Sequence, residues 1–351
     1  MKMDFFIIVI NGDLMRSVII SIIIVNWNSK IYLQKCIASI LKNTFGIEYE
    51  IIVVDSGSFD GCGLMLQHFY PEVRFIQSEQ NVGFARANNL GSEYARGNVM
   101  LFLNPDTEVS DCAIERLCTR LLELPHAGVL GCRLLNSDGS LQTSCVMPFP
   151  TILNQIFDSE ILQRWFPKVK LWMSAAMFED VTSPVPVEAV SGACMIIQRD
   201  TFERVDGFSA DYFMYAEDID LCYKTCKAGF INYYAPEVEI VHHGGGSTQL
   251  ERSIFSDIMI SESVSRLLRK TRGNFYSLGY RLALCGSAIV RLMLLALCFP
   301  VALIKSRTSK WSVAFNKWIA IFRWGLGLEK WVQQYSQPGQ TVAELSVGHE
   351  K

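Results

Sequence analysis

The sequence predicts an α/β fold: a mixed, largely parallel sheet flanked by helices, followed by a helical C-terminal region. Three observations carry this. Short β-branched runs alternate with helical periods from residue 18 to about residue 110. The first run, VIISIIIV at 18–25, is apolar without alternation, as in a strand covered on both faces. Charge is divided unevenly, with 32 acids and 19 bases in residues 1–262 but eleven bases and no acid in residues 263–328.

Residues 30–43 follow a helical period, with Leu33, Ile37, Ile40 and Leu41 on one side. EIIVV at 50–54 is a second strand, Ser56 to Gly63 supply turn residues, and 64–69 suggest a helix. Val73 to Ile76 is a third strand, 84–96 a helix ending at Gly97, and VMLFL at 99–103 a fourth strand. A helix at 111–124 precedes strand-like residues 127–135, and Asn136-Ser137-Asp138-Gly139 is a turn. Five prolines between Pro148 and Pro186 make 148–186 a loop-rich excursion with one or two helices. Residues 187–199 read as extended, Glu217 to Gly229 as a helix, and 231–242 as extended.

The apolar run 282–304 is long enough to span a bilayer, although Arg291 and Pro300 interrupt it. Trp311, Trp318, Trp324 and Trp331 recur every six or seven residues and share one broad helical face, with Lys317, Arg323 and Lys330 between them. The chain divides into an N-terminal extension (1–16), an α/β domain (17–250), a basic, Trp-rich helical membrane-associating region (251–335) and a tail (336–351).

Composition excludes several classes. With 50% hydrophobic and 19% charged residues the chain is not disordered, and a net charge of −3 gives no nucleic-acid footprint. Eleven cysteines without a CxxC pair or Cys/His cluster argue against structural zinc and point to a reducing, cytoplasmic setting. Phe5 to Ile10 lies between Asp4 and Asp13 without a basic flank, so no secretory signal is expected. Met15, followed by Arg16, is an alternative start to Met1.

Ligands of open α/β sheets bind at the C-terminal strand ends. The first end, Asn26-Trp27-Asn28, has no glycine, and neither GxGxxG nor GxxxxGK[ST] occurs, which excludes a nicotinamide oxidoreductase and a P-loop nucleotidase. The second ends in Asp55-Ser56-Gly57-Ser58, where the carboxylate either binds a base or ribose or closes an Asx turn. The fourth ends in Asn104-Pro105-Asp106-Thr107-Glu108. There Asp106 either suits a hard divalent cation or opens the helix that follows. Glu217 and Asp218 either carry acid–base chemistry or complement a helix dipole.

Seven stretches together resemble glycosyltransferase family 2, in its rhamnosyltransferase-like branch with the GT-A fold. They are SIIIVNWNS (21–29), IIVVDSGSFDG (51–61), NVGFARANNLG (81–91), LNPDTEV (103–109), VSGACMIIQRDTFERVDGF (190–208), YFMYAEDIDLCYK (212–224) and VHHGGGS (241–247). The resemblance covers about residues 17–250. It implies that Asp55 contacts the nucleotide base beside the backbone of Val25, Asn26 and Trp27. Asn81, Gly83 and Arg86 would line the nucleotide or phosphate side. Asp106 would be the metal-binding carboxylate of a DxD-type motif whose first acid is Asn104, able to hydrogen-bond a ribose or sugar hydroxyl. His242 would be a second metal ligand, with His243 as its substitute. Asp218 would be the general base, with Gly192 and Glu217 beside the acceptor.

The resemblance therefore implies an inverting, Mg²⁺- or Mn²⁺-dependent glycosyltransferase. Its donor would be a nucleotide sugar, dTDP-rhamnose by branch, and its acceptor a saccharide or lipid-linked oligosaccharide in cell-surface polysaccharide synthesis. The basic, tryptophan-rich tail implies attachment to anionic lipids of the inner leaflet, at the cytoplasmic face of the membrane. A non-catalytic nucleotide-sugar or glycan-binding protein, and a membrane scaffold, are the alternatives.

Overall fold

The computed structural model describes residues 19–157, 181–244, 254–304 and 308–336. The N-terminal extension, the tail beyond residue 336 and the glycines at 245 and 246 lie outside the described residues.

The elements follow the predicted alternation. β1 (Ile19–Asn26), α1 (Lys30–Asn43), β2 (Glu48–Ser56), α2 (Cys62–Phe69), β3 (Arg74–Ser78), α3 (Phe84–Glu93) and β4 (Val99–Leu103) form the first half. β5 (Thr107–Val109), α4 (Ala113–Glu123), β6 (Ala127–Leu135), β7 (Val146–Met147) and α5 (Ile152–Ile156) come next. β8 (Val185–Val187), β9 (Ala189–Val190), β10 (Cys194–Gln198), α6 (Arg199–Arg204), α7 (Glu217–Lys227) and β11 (Ile231–His242) complete the α/β part. α8 (Ile254–Arg272), α9 (Asn274–Ile304), α10 (Thr308–Gly325) and a 3₁₀ turn (Lys330–Ser336) follow.

The main sheet runs β3-β2-β1-β4-β10-β6-β11-β5, with β8 also paired to β11. Strands β3, β2, β1 and β4 are mutually parallel, and β6 is parallel to β11. β10 enters antiparallel between β4 and β6. β1 is buried on both faces, as its unbroken apolar run requires: Ile22 and Ile24 join one core, Ile23 the other.

The extended reading of 187–199 resolves into β8, β9, β10 and the start of α6, with Ser191–Ala193 turning the chain into β10. Across the division at 250/251, Leu267 of α8 packs in the same core as Phe102 and Met195.

The C-terminal helices also use their residues differently from the sequence reading. Trp324 is buried and donates Nε1 to Glu262 at 2.9 Å, Trp331 stacks on Phe255, and Trp311 donates to the Leu295 carbonyl at 2.8 Å. These tryptophans thus make contacts between the C-terminal segments as well as lying along them. Many of the bases are paired inside the protein: Arg266 and Lys270 with Asp211, Arg281 with Glu262, Lys317 with Asp257, and Arg323 with Glu329. The positive excess thus docks the helices onto acidic partners. What α9 leaves uncovered is apolar: Leu278, Leu282, Ile289, Met293 and Leu297 follow one another along one exposed face.

Glycine is required where α3 begins. Gly83 has φ +81°, and a Cβ there would sit 2.2 Å from the Phe213 carbonyl oxygen. Gly83→Ala should therefore destabilise the fold by at least about 1 kcal/mol, the lower bound for a strained backbone position. An unchanged urea midpoint would contradict this.

Candidate active site

The site is assembled at the C-terminal ends of β1, β2 and β4. Asn104 and Asp106 leave β4, and the next residues form β5 rather than a helix, so Asp106 does not open a helix. β5 pairs with β11, with His242 opposite Thr107, which carries His242 to the end of β4. His242 Nε2 lies 3.2 Å from Asp106 Oδ1 and 3.3 Å from Asn104 Nδ2.

Gln142, unnoticed in the sequence, orients this histidine. Its Nε2 donates to the His242 carbonyl at 2.6 Å, so its Oε1 is the atom that faces His242 Nδ1, at 2.9 Å. An acceptor there takes the hydrogen bond of the Nδ1 proton and turns Nε2 towards the Asp106 carboxylate and the Asn104 side-chain amide. His243 is placed elsewhere: its Nε2 meets Glu108 at 2.9 Å and its Nδ1 meets Ser137 at 2.7 Å. The structure therefore brings the His242 imidazole, and not that of His243, to the Asp106 carboxylate, while the His243 backbone amide donates to the Asp106 carbonyl at 2.9 Å.

Asp218 is reached through β10. The Asn104 amide donates to the Ala193 carbonyl at 3.0 Å, and the adjacent Gly192 amide donates to Asp218 Oδ2 at 2.9 Å. A Cβ on Gly192 would make only ordinary contact with Asp218, so its contribution is the N–H rather than space. Burial pushes the Asp218 carboxyl above its ordinary range, against the Gly192 and Ile219 amides that pull it down. Glu217 is buried, one of its oxygens has no hydrogen-bond partner, and burial followed by the neighbouring Asp218 charge holds its carboxyl well above the usual range. Asp220 is engaged elsewhere, by Ser209 and Tyr212.

The other sequence candidates make the following contacts within the protein. Asp55 is fully buried and accepts from Gln77 and Asn26 at 2.7 Å each, from the Ser58 and Phe59 amides at 3.1 Å each, and from the Ser58 hydroxyl. Burial raises its pKa, but the hydrogen bonds outweigh burial and hold it below the ordinary carboxylate value. Asp55, Asp60 and Cys62 gather ligand atoms within 4.8 Å of one another. The Asn26 amide nitrogen lies 2.7 Å from Asp55, 3.2 Å from Asp60 and 3.3 Å from Cys62, where a cation would otherwise sit. Val25 is buried and Trp27 exposed at the end of β1. Asn81 ties β2 to α3 by accepting from Ser56 and from the Gly83 amide. Arg86 turns its Nε to the Ala210 carbonyl, 2.7 Å away, on the loop that leads to α7.

The model of Glycosyl transferase family 2 matches residues 21–204, and that of Glycosyl transferase family group 2 matches residues 150–328. The N-acetylglucosaminyl-diphospho-decaprenol L-rhamnosyltransferase of Mycobacterium tuberculosis is 29% identical over 242 residues, 66% of this chain and 78% of its own. The rhamnosyltransferase WbbL of Escherichia coli is 28% identical over 244 residues, 67% of this chain and 86% of its own. A solved mannosyltransferase, PcManGT of Pyrobaculum calidifontis with GDP-Man and Mn²⁺, superposes with TM-score 0.52 at 15% identity, covering 88% of this chain and 86% of its own. GalNAc-T7 with UDP, GalNAc and Mn²⁺ superposes with TM-score 0.53 at 14% identity, covering 92% of this chain and 58% of its own. These superpositions show the GT-A-type fold.

The raised carboxyls carry a stability signature. A carboxyl whose folded pKa exceeds its unfolded value of about 4 stabilises the fold fully only below that value. The contribution is lost as pH rises through the folded pKa. Glu217→Gln, which cannot ionise, should therefore raise Tm at pH 8, with the gain shrinking towards pH 4. A Tm difference independent of pH, or a more stable wild type at pH 8, would contradict the burial reading.

Proposed function

Because this chain belongs to glycosyl transferase family 2, we propose that it moves rhamnose from a deoxythymidine-diphosphate donor to a saccharide or lipid-linked acceptor, inverting the anomeric carbon. The two rhamnosyltransferase relatives support the sugar, and the name of the mycobacterial one supports a lipid-linked acceptor in cell-surface polysaccharide synthesis. The observation that carries the reading is the Gly192–Ala193 dipeptide, which joins the Asn104–Asp106 turn to the Asp218 carboxylate.

Asp218 takes the proton of the acceptor hydroxyl as that oxygen attacks the anomeric carbon. The bond to the nucleoside diphosphate breaks on the opposite face, and one displacement without a covalent enzyme intermediate inverts the centre. Burial keeps Asp218 a stronger base than an exposed aspartate, while the Gly192 amide fixes the oxygen it donates to. Glu217 lies beside the acceptor side, and Asn104 is available to a ribose or sugar hydroxyl. Asp55 holds the ends of β1 and β2 in the register that forms the nucleotide side.

The Asp106–His242 pair fits a divalent cation, since Gln142 orients the imidazole through Nδ1 and its Nε2 converges with a carboxylate oxygen of Asp106 at 3.2 Å. Of Mg²⁺ and Mn²⁺, the imidazole favours Mn²⁺. Bound there, the cation would neutralise charge developing on the departing diphosphate. Asp218→Asn should retain donor binding and lose about 10²–10⁴-fold in rate. Asp106→Asn should instead weaken metal-dependent nucleotide binding, read by calorimetry with and without Mn²⁺. Full turnover in excess chelator, or a near wild-type rate for Asp218→Asn, would overturn the assignment.

The membrane reading rests on α9. Within Asn274–Phe299 the most apolar 18-residue window has a mean hydropathy of 2.3, and only 17% of it is buried. Arg291 does not face outward, because its guanidinium donates to the Ile156 carbonyl at 2.9 Å and stacks 4.2 Å from the Trp318 ring. The exposed stripe, roughly 30 Å long from Leu278 to Leu297 at helical rise, is apolar and suits the acyl boundary of the inner leaflet. Lys305 and Arg307 follow it in sequence and suit anionic headgroups. The double variant Met293→Glu, Leu297→Glu should stop co-sedimentation with vesicles while nucleotide binding persists. Wild-type protein that ignores both zwitterionic and anionic vesicles would refute this attachment.

A further inference from the structure

We propose that the C-terminal helices brace the catalytic loop, with Ser263 and Arg266 as positioning residues that set Asp218 through the backbone of residues 210–216. The proposal builds on Asp218 as the base. The loop between α6 and α7 ends in two non-glycine residues with left-handed backbones, Tyr215 at φ +69° and Ala216 at φ +62°, directly before Glu217 and Asp218. Such positions persist only where the surroundings impose them.

The surroundings are specific. Four carbonyls within residues 210–214 accept hydrogen bonds from outside the loop. Two donors come from the α3 side: Arg86 Nε to Ala210 at 2.7 Å, and the Phe84 amide to Phe213 at 2.8 Å. The other two come from α8: Arg266 to Asp211, and Ser263 Oγ to Met214 at 2.9 Å. The Phe213 ring then packs on Tyr335 with centroids 4.7 Å apart, and Tyr335 and Trp331 both pack on Phe255.

Ser263 differs from Ser261 and Thr271 on the same helix. Ser261 and Thr271 return their hydroxyls to carbonyls four residues back, at 2.8 Å each, as helical hydroxyls commonly do. Ser263, only 3% exposed, instead spends its hydroxyl on the loop. A helix serving only as an anchor has no need of that contact. The motif segment 81–86 thus grips one side of the loop, and a helix outside the seven motifs grips the other.

The test uses the full chain, with Ser263→Ala, Ser263→Thr and Asp218→Asn compared with wild type. Hydrogen–deuterium exchange is read at residues 213–218, and kcat and donor KM are read with the nucleotide-sugar donor and acceptor. The expected result for Ser263→Ala is faster exchange at 213–218 with β1 and β4 unchanged. Its kcat should fall roughly tenfold with donor KM within about twofold, because sub-ångström misplacement of a reacting group acts on rate. Ser263→Thr, which keeps the hydroxyl, should restore both. Unchanged exchange at 213–218 would overturn the brace, as would a joint fall of kcat, donor affinity and Tm that threonine does not rescue. If Asp218→Asn turns over like wild type, the base assignment fails by itself, and the exchange data still decide whether the brace exists.

Discussion

The antiparallel entry of β10 beside β4 is the constraint on which the site depends. In the parallel half, β1, β2 and β4 all end at one edge of the sheet, and that edge gathers Asn26, Asp55 and Asn104. A parallel neighbour would send its beginning to the opposite edge. Because Cys194 pairs with Leu103, the residues entering β10 arrive instead beside the residues leaving β4. Gly192 and Ala193 then offer one amide to Asp218 and one carbonyl to Asn104. The Asp218 carboxylate and the Asn104–Asp106 turn are thereby placed on either side of two peptide units.

This arrangement opposes stability locally. Two adjacent carboxyls sit largely out of water with raised pKa values, and two left-handed residues precede them. Groups held this way destabilise the neutral-pH fold and are found where chemistry needs them. The rest of the molecule supplies what holds them: unbroken apolar strands, a glycine where α3 meets the Phe213 carbonyl, and α8, whose Leu267 reaches the α/β core. The basic surplus of the C-terminal helices serves the same end, since its ion pairs run largely to acids of the same assembly.

Much of the fold was legible because strand burial is written in composition. VIISIIIV and VMLFL admit no solvent face, and α1, β4, β6 and β11 occur at the residues their patterns indicate. Gly192-Ala193-Cys194 stands between two extended segments in the sequence, but the direction in which β10 leaves that turn is fixed only by its pairing with β4. In the site, Asp106 and His242 were named from motifs, but the choice between His242 and His243 depended on β5 pairing with β11. Gln142 carries no signal in one sequence: it is a loop glutamine a hundred residues from the histidine it orients. The tryptophan spacing revealed a helix face but not its direction, because helix packing and a membrane interface both reward the same side chain.

The most direct test of the account is where Mn²⁺ binds. Anomalous diffraction at the manganese edge, from crystals grown with Mn²⁺ and a nucleoside diphosphate, locates the ion without reference to activity. The account predicts one peak bonded to both Asp106 and His242, with Gln142 still on Nδ1 of the imidazole. A peak among Asp55, Asp60 and Cys62, or no peak at Asp106 while nucleotide is bound, would contradict it.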